Sequence, residues 1–267
     1  MSNQSQLTSQ VVMVTPEMAA LWLERNKNNR NINLNRVAIY AKEMQEGRWM
    51  LHHQGIAFYD DGSFADGQHR LHAIVKSGCT IQMNVTRGVP KSSGLMIDNH
   101  QARQTHQSIK ISGLADWIGI DEVAMIRLID AVNYNGSRKI SNQDIIKLGE
   151  SYKSSITFAL GLRKGQKRKG ITGAITYTSI ALAKAYEDKN RLEQFHDVLI
   201  SGMPKSENDK AAVMLRDWFM QQEGGASGAI SWRMNTMKRA MRAIKAFCGN
   251  DPIGKLYQPK DFIYKPV

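Results

Sequence analysis

A short polar run, Asp66-Gly67-Gln68-His69-Arg70, lies where an apolar segment changes into a helical pattern. The first amides of a helix are donors without intrahelical partners, so they attract anions. The arginine adds a planar fork of donors that suits phosphate oxygens, and the glycine lets the backbone approach a ligand closely. The run therefore predicts a phosphate-binding site formed by Gly67, Gln68, His69 and Arg70.

Two residues of this run could do more than bind. His69 can carry a proton near neutral pH, so it is a candidate general base, and Asp66 is a second candidate. Asp66 could instead hold a hydrated divalent cation such as Mg²⁺. A purely local interpretation fits the same residues: Asp66 caps a turn, Gly67 makes the turn, and His69 and Arg70 face solvent.

Histidines are concentrated around this run. Six of the seven lie between residues 52 and 106, namely His52, His53, His69, His72, His100 and His106. Their spacing matches no standard zinc signature, which favours a phosphate or catalytic site over a structural metal. The chain also lacks the sequence motifs of Walker-type NTPases, α/β hydrolases and the usual zinc proteases, so these classes are excluded.

The elements around the run indicate a mixed fold. Thr15-Pro16-Glu17 is a strong helix start, and Asp61-Gly62 between apolar runs predicts a hairpin. Gly47 is placed to end the second helix. Strands are predicted at 11–14, 56–59, 64–65 and 80–85, and helices at 16–26, 36–46 and 69–76.

After about residue 113 the pattern becomes helical. Apolar residues recur at 4-3-4-3-4 spacing from Ile230 to Cys248, which places them on one helix face. Helices are predicted at 117–133, 141–160, 176–188, 191–200, 210–222 and 230–248. The expected fold class is α+β, with a tail at 1–11, a small mixed domain at 12–112 and a basic α-helical domain at 113–267.

The polar run resembles the signature of the ParB/sulfiredoxin superfamily, in which a β-hairpin is followed by a Gly-x-x-Arg turn into a helix. It also matches the motif of the DGQHR-type proteins. The layout upstream, with Gly47-Arg48-Trp49 before the hairpin, is typical of phage- and plasmid-encoded ParB-like proteins. The resemblance covers about residues 12–112 and implies that Gly67, His69 and Arg70 contact phosphate.

A second stretch carries the same resemblance. Asp98-Asn99-His100-Gln101-Ala102-Arg103 is similar to the Glu-Asn-x-x-Arg motif of ParB proteins, with one additional residue before Arg103. The resemblance implies that Asn99 and Arg103 contact a nucleotide and that Asp98 helps to hold a metal. It further implies a nucleoside triphosphate and Mg²⁺ as cofactors. The alternative is a loop closed by a salt bridge between Asp98 and Arg103.

The charge points to a polyanionic partner. The formal net charge is +12 and the isoelectric point about 9.7, and a basic excess attracts nucleic acid. Two stretches, 151–186 and 224–250, contain Lys and Arg but no Asp or Glu. A solvated basic face is the simpler alternative. The candidate nucleic-acid contacts are Arg163, Lys164, Lys167, Arg168, Lys169, Arg233, Lys238, Arg239 and Arg242.

The remaining features are compatible with a cytoplasmic protein. The two cysteines, Cys79 and Cys248, are far apart and have no metal-type spacing, which favours reduced thiols. The polar residues 1–10 do not resemble a signal peptide, and no segment is apolar over the length needed to span a bilayer. A homo-oligomer is compatible with the sequence.

Three functions are consistent with these patterns. The preferred one is a ParB-like DNA-binding protein with a nucleotide or phosphate pocket at Asp66–Arg70. The second is a phosphotransferase, NTPase or nuclease that uses the same pocket, with His69 or Asp66 as general base. The third is a phage protein that inhibits a host protein, which rests only on the phage-like pattern.

Overall fold

The computed structural model describes residues 6–25, 32–95, 104–163, 171, 173–222 and 229–267. Its contacts divide the chain into two compact units, Met1–Ala102 and Arg103–Val267. The first unit is mixed α/β, and the second is helical within its described residues. The boundary lies about ten residues before the position expected from the change in sequence pattern.

The first unit is built on a four-stranded mixed sheet. Strands β1 (Thr8–Val14), β2 (Ile56–Tyr59), β3 (Phe64–Asp66) and β4 (Ile81–Val89) lie in the order β1-β4-β2-β3. Strand β4 pairs antiparallel with β1 and parallel with β2, while β2 and β3 form the expected antiparallel hairpin. The expected tail at 1–11 is wrong for residues 8–11, because β4 continues to Val89 and pairs with them.

Three helices complete this unit: α1 (Pro16–Leu23), α2 (Leu34–Gln45) and α3 (Gln68–Ser77). The Thr15 hydroxyl accepts a hydrogen bond from the Met18 amide at 3.2 Å, which confirms the predicted start of α1. Asn33 caps α2 by accepting from the Arg36 amide at 3.1 Å. Gly47 follows α2 with a φ of +66°, the left-handed conformation that glycine supplies most easily at a helix end.

One apolar core joins the sheet to the three helices. Alternate residues of β2, Ile56 and Phe58, are almost fully buried, as the two-residue period of a strand requires. The Phe58 ring packs edge-on against Trp22 of α1, with ring centroids 5.4 Å apart. Helix α3 contributes Leu71 and Ile74, which are fully buried in the same core. Burial of its apolar face therefore fixes α3, and the polar run at its start, against the sheet.

The second unit contains seven helices among its described residues. They are α4 (Thr105–Ser112), α5 (Ile120–Asn133), α6 (Asn142–Gly161), α7 (Ala174–Ala183), α8 (Lys189–Ser201), α9 (Lys210–Met220) and α10 (Ile230–Cys248). Helix α4 was not predicted, because it is short and only Ile109 is buried on it. Ile109 packs into the core of the helical unit, so α4 belongs to that unit and the boundary lies before α4.

Helix α10 begins and ends at its predicted residues. Its face of Met234, Met237, Met241 and Ile244 is buried, as the spacing indicated. The helix packs against α7, α8 and α9, and α7 is buried from Thr176 to Ala183. None of the described helices combines the length and apolar character needed to cross a lipid bilayer.

Candidate functional site

The polar run forms a sharp entry into α3. Gly67 is the N-cap residue and has φ +108° and ψ +10°. A Cβ atom at this position would lie 3.0 Å from the Gly55 carbonyl oxygen and 3.2 Å from the Ile56 Cα. The glycine is therefore needed for backbone conformation and for close packing on the start of β2, and not only for approach to a ligand.

Asp66 and Arg70 form an ion pair across this bend. One carboxylate oxygen of Asp66, Oδ2, accepts from Arg70 Nη2 at 2.9 Å, and the other accepts from the Gly67 amide at 2.6 Å. Arg70 Nε donates to the Gly55 carbonyl at 2.8 Å, and the residue is only 9% exposed. The expectation of an open arginine fork is therefore corrected: two of its three nitrogens hold the fold together.

His69 also makes a structural contact. Its Nε2 atom accepts a hydrogen bond from the Asn33 backbone amide at 3.0 Å, which joins the start of α2 to the start of α3. An accepting nitrogen cannot carry a proton, so this bond requires Nε2 to be unprotonated. The proposed general base thus already uses one ring nitrogen within the fold, and it is 7% exposed rather than facing solvent.

The start of α3 has two features that an ordinary surface turn lacks. Gln68, His69 and Arg70 are three consecutive buried polar residues, and burying polar groups is costly unless each is paired. In addition, within the described ranges no side-chain cap is present at the first turn of α3, and the Asp66 carboxylate accepts from the amide of Gly67. Among the described residues, Arg70 Nη1 has no hydrogen-bond acceptor. These features leave the α3 start suited to an anion.

The pKa values of two histidines, His52 and His72, are lowered around the start of α3. Loss of hydration lowers the pKa of His52, and the positive charges of Arg70 and His53 lower it further. His52 also packs its ring near Trp49, with centroids 5.5 Å apart. Burial lowers the pKa of His72. The hydrogen bond from Arg70 to the Gly55 carbonyl shows that the loop before β2 lies close to the start of α3, which sequence separation alone did not reveal.

The described residues do not form a metal site. No group of three or more His, Cys, Asp or Glu side chains is arranged to bind a cation within the described ranges. Asp66, one of the two expected Mg²⁺ ligands, already engages both carboxylate oxygens. Asp98, the other expected ligand, lies outside the described residues, as do the expected nucleotide contacts Asn99 and Arg103.

Several candidate nucleic-acid contacts in the second unit have partners within the protein. Arg163 donates to Asp121 at 2.8 Å. On α10, Lys238 donates to the Lys260 carbonyl at 2.6 Å, and the Arg242 guanidinium lies over the Tyr257 ring at 5.1 Å. The remaining candidates of the 163–169 stretch, Lys164, Lys167, Arg168 and Lys169, lie outside the described residues.

Arg233 and Arg239, the other two candidates on α10, have different surroundings. Arg239 lies over the Trp218 ring at 4.5 Å and has no carboxylate partner among the described residues. Arg233 is exposed. Of the four α10 cations expected to contact nucleic acid, Lys238 and Arg242 contact the C-terminal segment that follows α10.

The basic excess is concentrated in the second unit. That unit has 26 Lys and Arg against 16 Asp and Glu, whereas the first has 10 against 8. A field that attracts polyanions therefore originates mainly from the helical unit.

Comparison with known proteins identified no relative. No protein-family model matches the chain, and neither curated proteins nor solved structures show a significant similarity to it.

We predict that Gly67→Ala destabilises the protein by on the order of 3 kcal/mol, since it combines an unfavourable φ with a clash at the Gly55 carbonyl. Gly78, at the other end of α3, is the matched control: it has φ +69° but open space around a Cβ atom. Gly78→Ala should cost only about 1 kcal/mol. Chemical denaturation of both variants measures the difference, and equal losses would contradict the packing role of Gly67.

We also predict that Arg70→Ala lowers the free energy of unfolding by about 2 kcal/mol, because the Gly55 carbonyl and the Asp66 carboxylate lose their donor. Lys76→Ala, in the exposed last turn of the same helix, should change it by less than about 0.5 kcal/mol. In a double-mutant cycle, Asp66→Asn should have a smaller effect when Arg70 is already alanine. Strict additivity of the two substitutions would show that the pair is not coupled.

Proposed function

We propose that this chain is a ParB-like DNA-binding protein. In this proposal the start of α3 binds a phosphate group, from a nucleotide or from DNA, and the basic helical unit contacts the nucleic-acid backbone. A bacterial cytoplasmic setting and self-association belong to the same proposal.

The observation that carries the proposal is the buried polar turn at the start of α3. Three consecutive polar residues are buried there, and no side chain in the described part of the protein caps the helix. Bonds to Asp66 and Gly55 fix one edge of the Arg70 guanidinium, through Nη2 and Nε. They leave Nη1 without an acceptor among the described residues. A bound phosphate would accept from Nη1 and complete the pairing at the positive end of the helix.

The distribution of charge supports the DNA-binding part. Most of the basic excess lies in the helical unit, and Arg233 is an exposed cation in the first turn of α10. Phosphate contacts of this kind give affinity without sequence specificity and are strongly weakened by salt. Sequence-specific recognition is not part of the proposal.

Catalysis has less support than binding. Asp66 is paired with Arg70, and His69 Nε2 accepts from the Asn33 amide, so both candidate general bases have structural roles. A phosphotransferase, NTPase or nuclease would have to release one of these contacts. Inhibition of a host protein has no structural observation in its favour.

The phosphate site is tested by a thermal-shift screen of nucleoside triphosphates and pyrophosphate, each with and without Mg²⁺. At a concentration about 100 times the dissociation constant, a ligand should raise the melting temperature by roughly 5 °C. Arg70→Lys keeps the charge but loses the planar fork, so its shift should be much smaller, whereas Lys76→Met should retain the full shift. The absence of any shift in the unmodified protein would reject the site.

DNA binding is tested by fluorescence anisotropy with a short labelled duplex between about 50 and 200 mM salt. Arg233→Ala should weaken binding and reduce the slope of log affinity against log salt by about 1. Lys210→Ala removes the same charge from a lysine that is already paired with Glu207, so it should have a smaller effect. Affinity that does not depend on salt would contradict backbone binding.

A further inference from the structure

Two tryptophans and an arginine form a cluster on the second unit. The indole rings of Trp218 on α9 and Trp232 on α10 are nearly parallel, with an interplanar angle of 24° and centroids 6.4 Å apart. The Arg239 guanidinium lies over the Trp218 ring at 4.5 Å. Trp232 and Arg239 are seven residues apart on α10, about two helical turns, so they lie on the same side of that helix.

The cluster is partly open to solvent. Both indoles are half-buried, and Trp218 packs against the core of the helical unit while Trp232 is not among the residues packed there. Near them in sequence are exposed side chains at the end of α9 and the start of α10, Met220 (65% exposed) and Ile230 (36%). Trp232 stacks on another indole and is only half-buried, so part of its ring remains accessible to a ligand.

Within the described part of the unit, Arg239 lacks the carboxylate partner that some other cations have. Its Nε atom is buried and has no hydrogen-bond partner in the part of the chain that the structure describes, and loss of hydration lowers the pKa of its guanidinium. By contrast, Lys245 and Arg163 each have a carboxylate partner. Among the described residues, only the Trp218 ring compensates the charge of Arg239, so the cluster retains positive potential beside an aromatic surface.

We propose that Trp218, Trp232 and Arg239 form a stacking site for an unpaired base of single-stranded nucleic acid. An indole face can stack on any base, and arginine contributes cation–π contact and attraction to the neighbouring phosphates. The bases of a duplex are stacked on one another and cannot offer their faces. This inference rests on the proposed nucleic-acid binding and adds the substrate class: unpaired segments bind at this cluster in preference to duplex.

Three probes of equal length, tested with the intact chain, separate base stacking from phosphate contacts: oligo(dT), a fully abasic oligonucleotide, and a duplex. The abasic strand keeps the phosphates but has no bases. Oligo(dT) should bind about tenfold more tightly than the abasic strand and should quench tryptophan fluorescence. Trp232→Ala should abolish this tenfold preference and leave duplex affinity within about twofold, whereas Trp232→Phe should restore most of the preference.

Trp117→Phe is the matched control. Trp117 is another half-buried indole of the same unit with a nearby cation, Lys153 at 5.3 Å, but its Nε1 donates to a carboxylate of Glu150. Its substitution should leave the preference for bases intact. Because Trp232 lies outside the core packing but stacks on Trp218, Trp232→Ala should lower the melting temperature only slightly, and Trp232→Phe provides a second folded variant.

The outcomes distinguish this inference from the proposed function. Equal affinity for oligo(dT) and the abasic strand, or a preference that survives Trp232→Ala, overturns the stacking site while DNA binding stands. Equal loss of oligo(dT) and duplex affinity in Trp232→Ala also overturns it, because the residue would then serve the general binding surface. Failure of every probe to bind overturns both proposals.

Discussion

The arrangement of the first unit around its polar turn depends on the guanidinium of Arg70. It connects the carbonyl of Gly55, before β2, to the carboxylate of Asp66, at the end of β3. The hairpin and the helix that follows it are thereby joined at one point. The glycine between them, Gly67, allows the two backbones to approach as closely as this pairing requires. Removing a charged guanidinium from water is costly, so the bonds from Nε and Nη2 offset part of that cost and hold Gly55 and Asp66 together.

This constraint changes the interpretation of the polar run. Arg70 is of a residue type suited to binding phosphate, but it has a structural role, because two of its nitrogens donate to groups of the protein itself. The two roles are compatible, because an arginine fixed on one side is already oriented before a ligand arrives. Fixing a binding group in advance reduces the conformational entropy lost on binding. His69, whose bond to Asn33 aligns α2, contributes to the same rigidity.

The basic residues of the second unit lead to a related conclusion. Charge counted along the sequence predicts the sign of the long-range electrostatic field, since that field depends on all charges together. It does not identify which cations are available to a partner. Arg163 and Arg242 lie close to acidic side chains, whereas Arg239 lies on an indole and has no acidic neighbour within the described ranges. Availability is decided by neighbours that are distant in the chain.

The sequence by itself determined most of the elements. The periodic spacing of apolar residues places α10 at its observed residues, and turn chemistry places the hairpin and the start of α1, because these signals act over a few residues. Only the tertiary structure decided where β1 begins and that α4 belongs to the helical unit, since strand pairing and core packing join distant segments. The same holds at the site. The partners of Arg70 and His69 include backbone groups of Gly55 and Asn33, and backbone groups leave no signature in residue types.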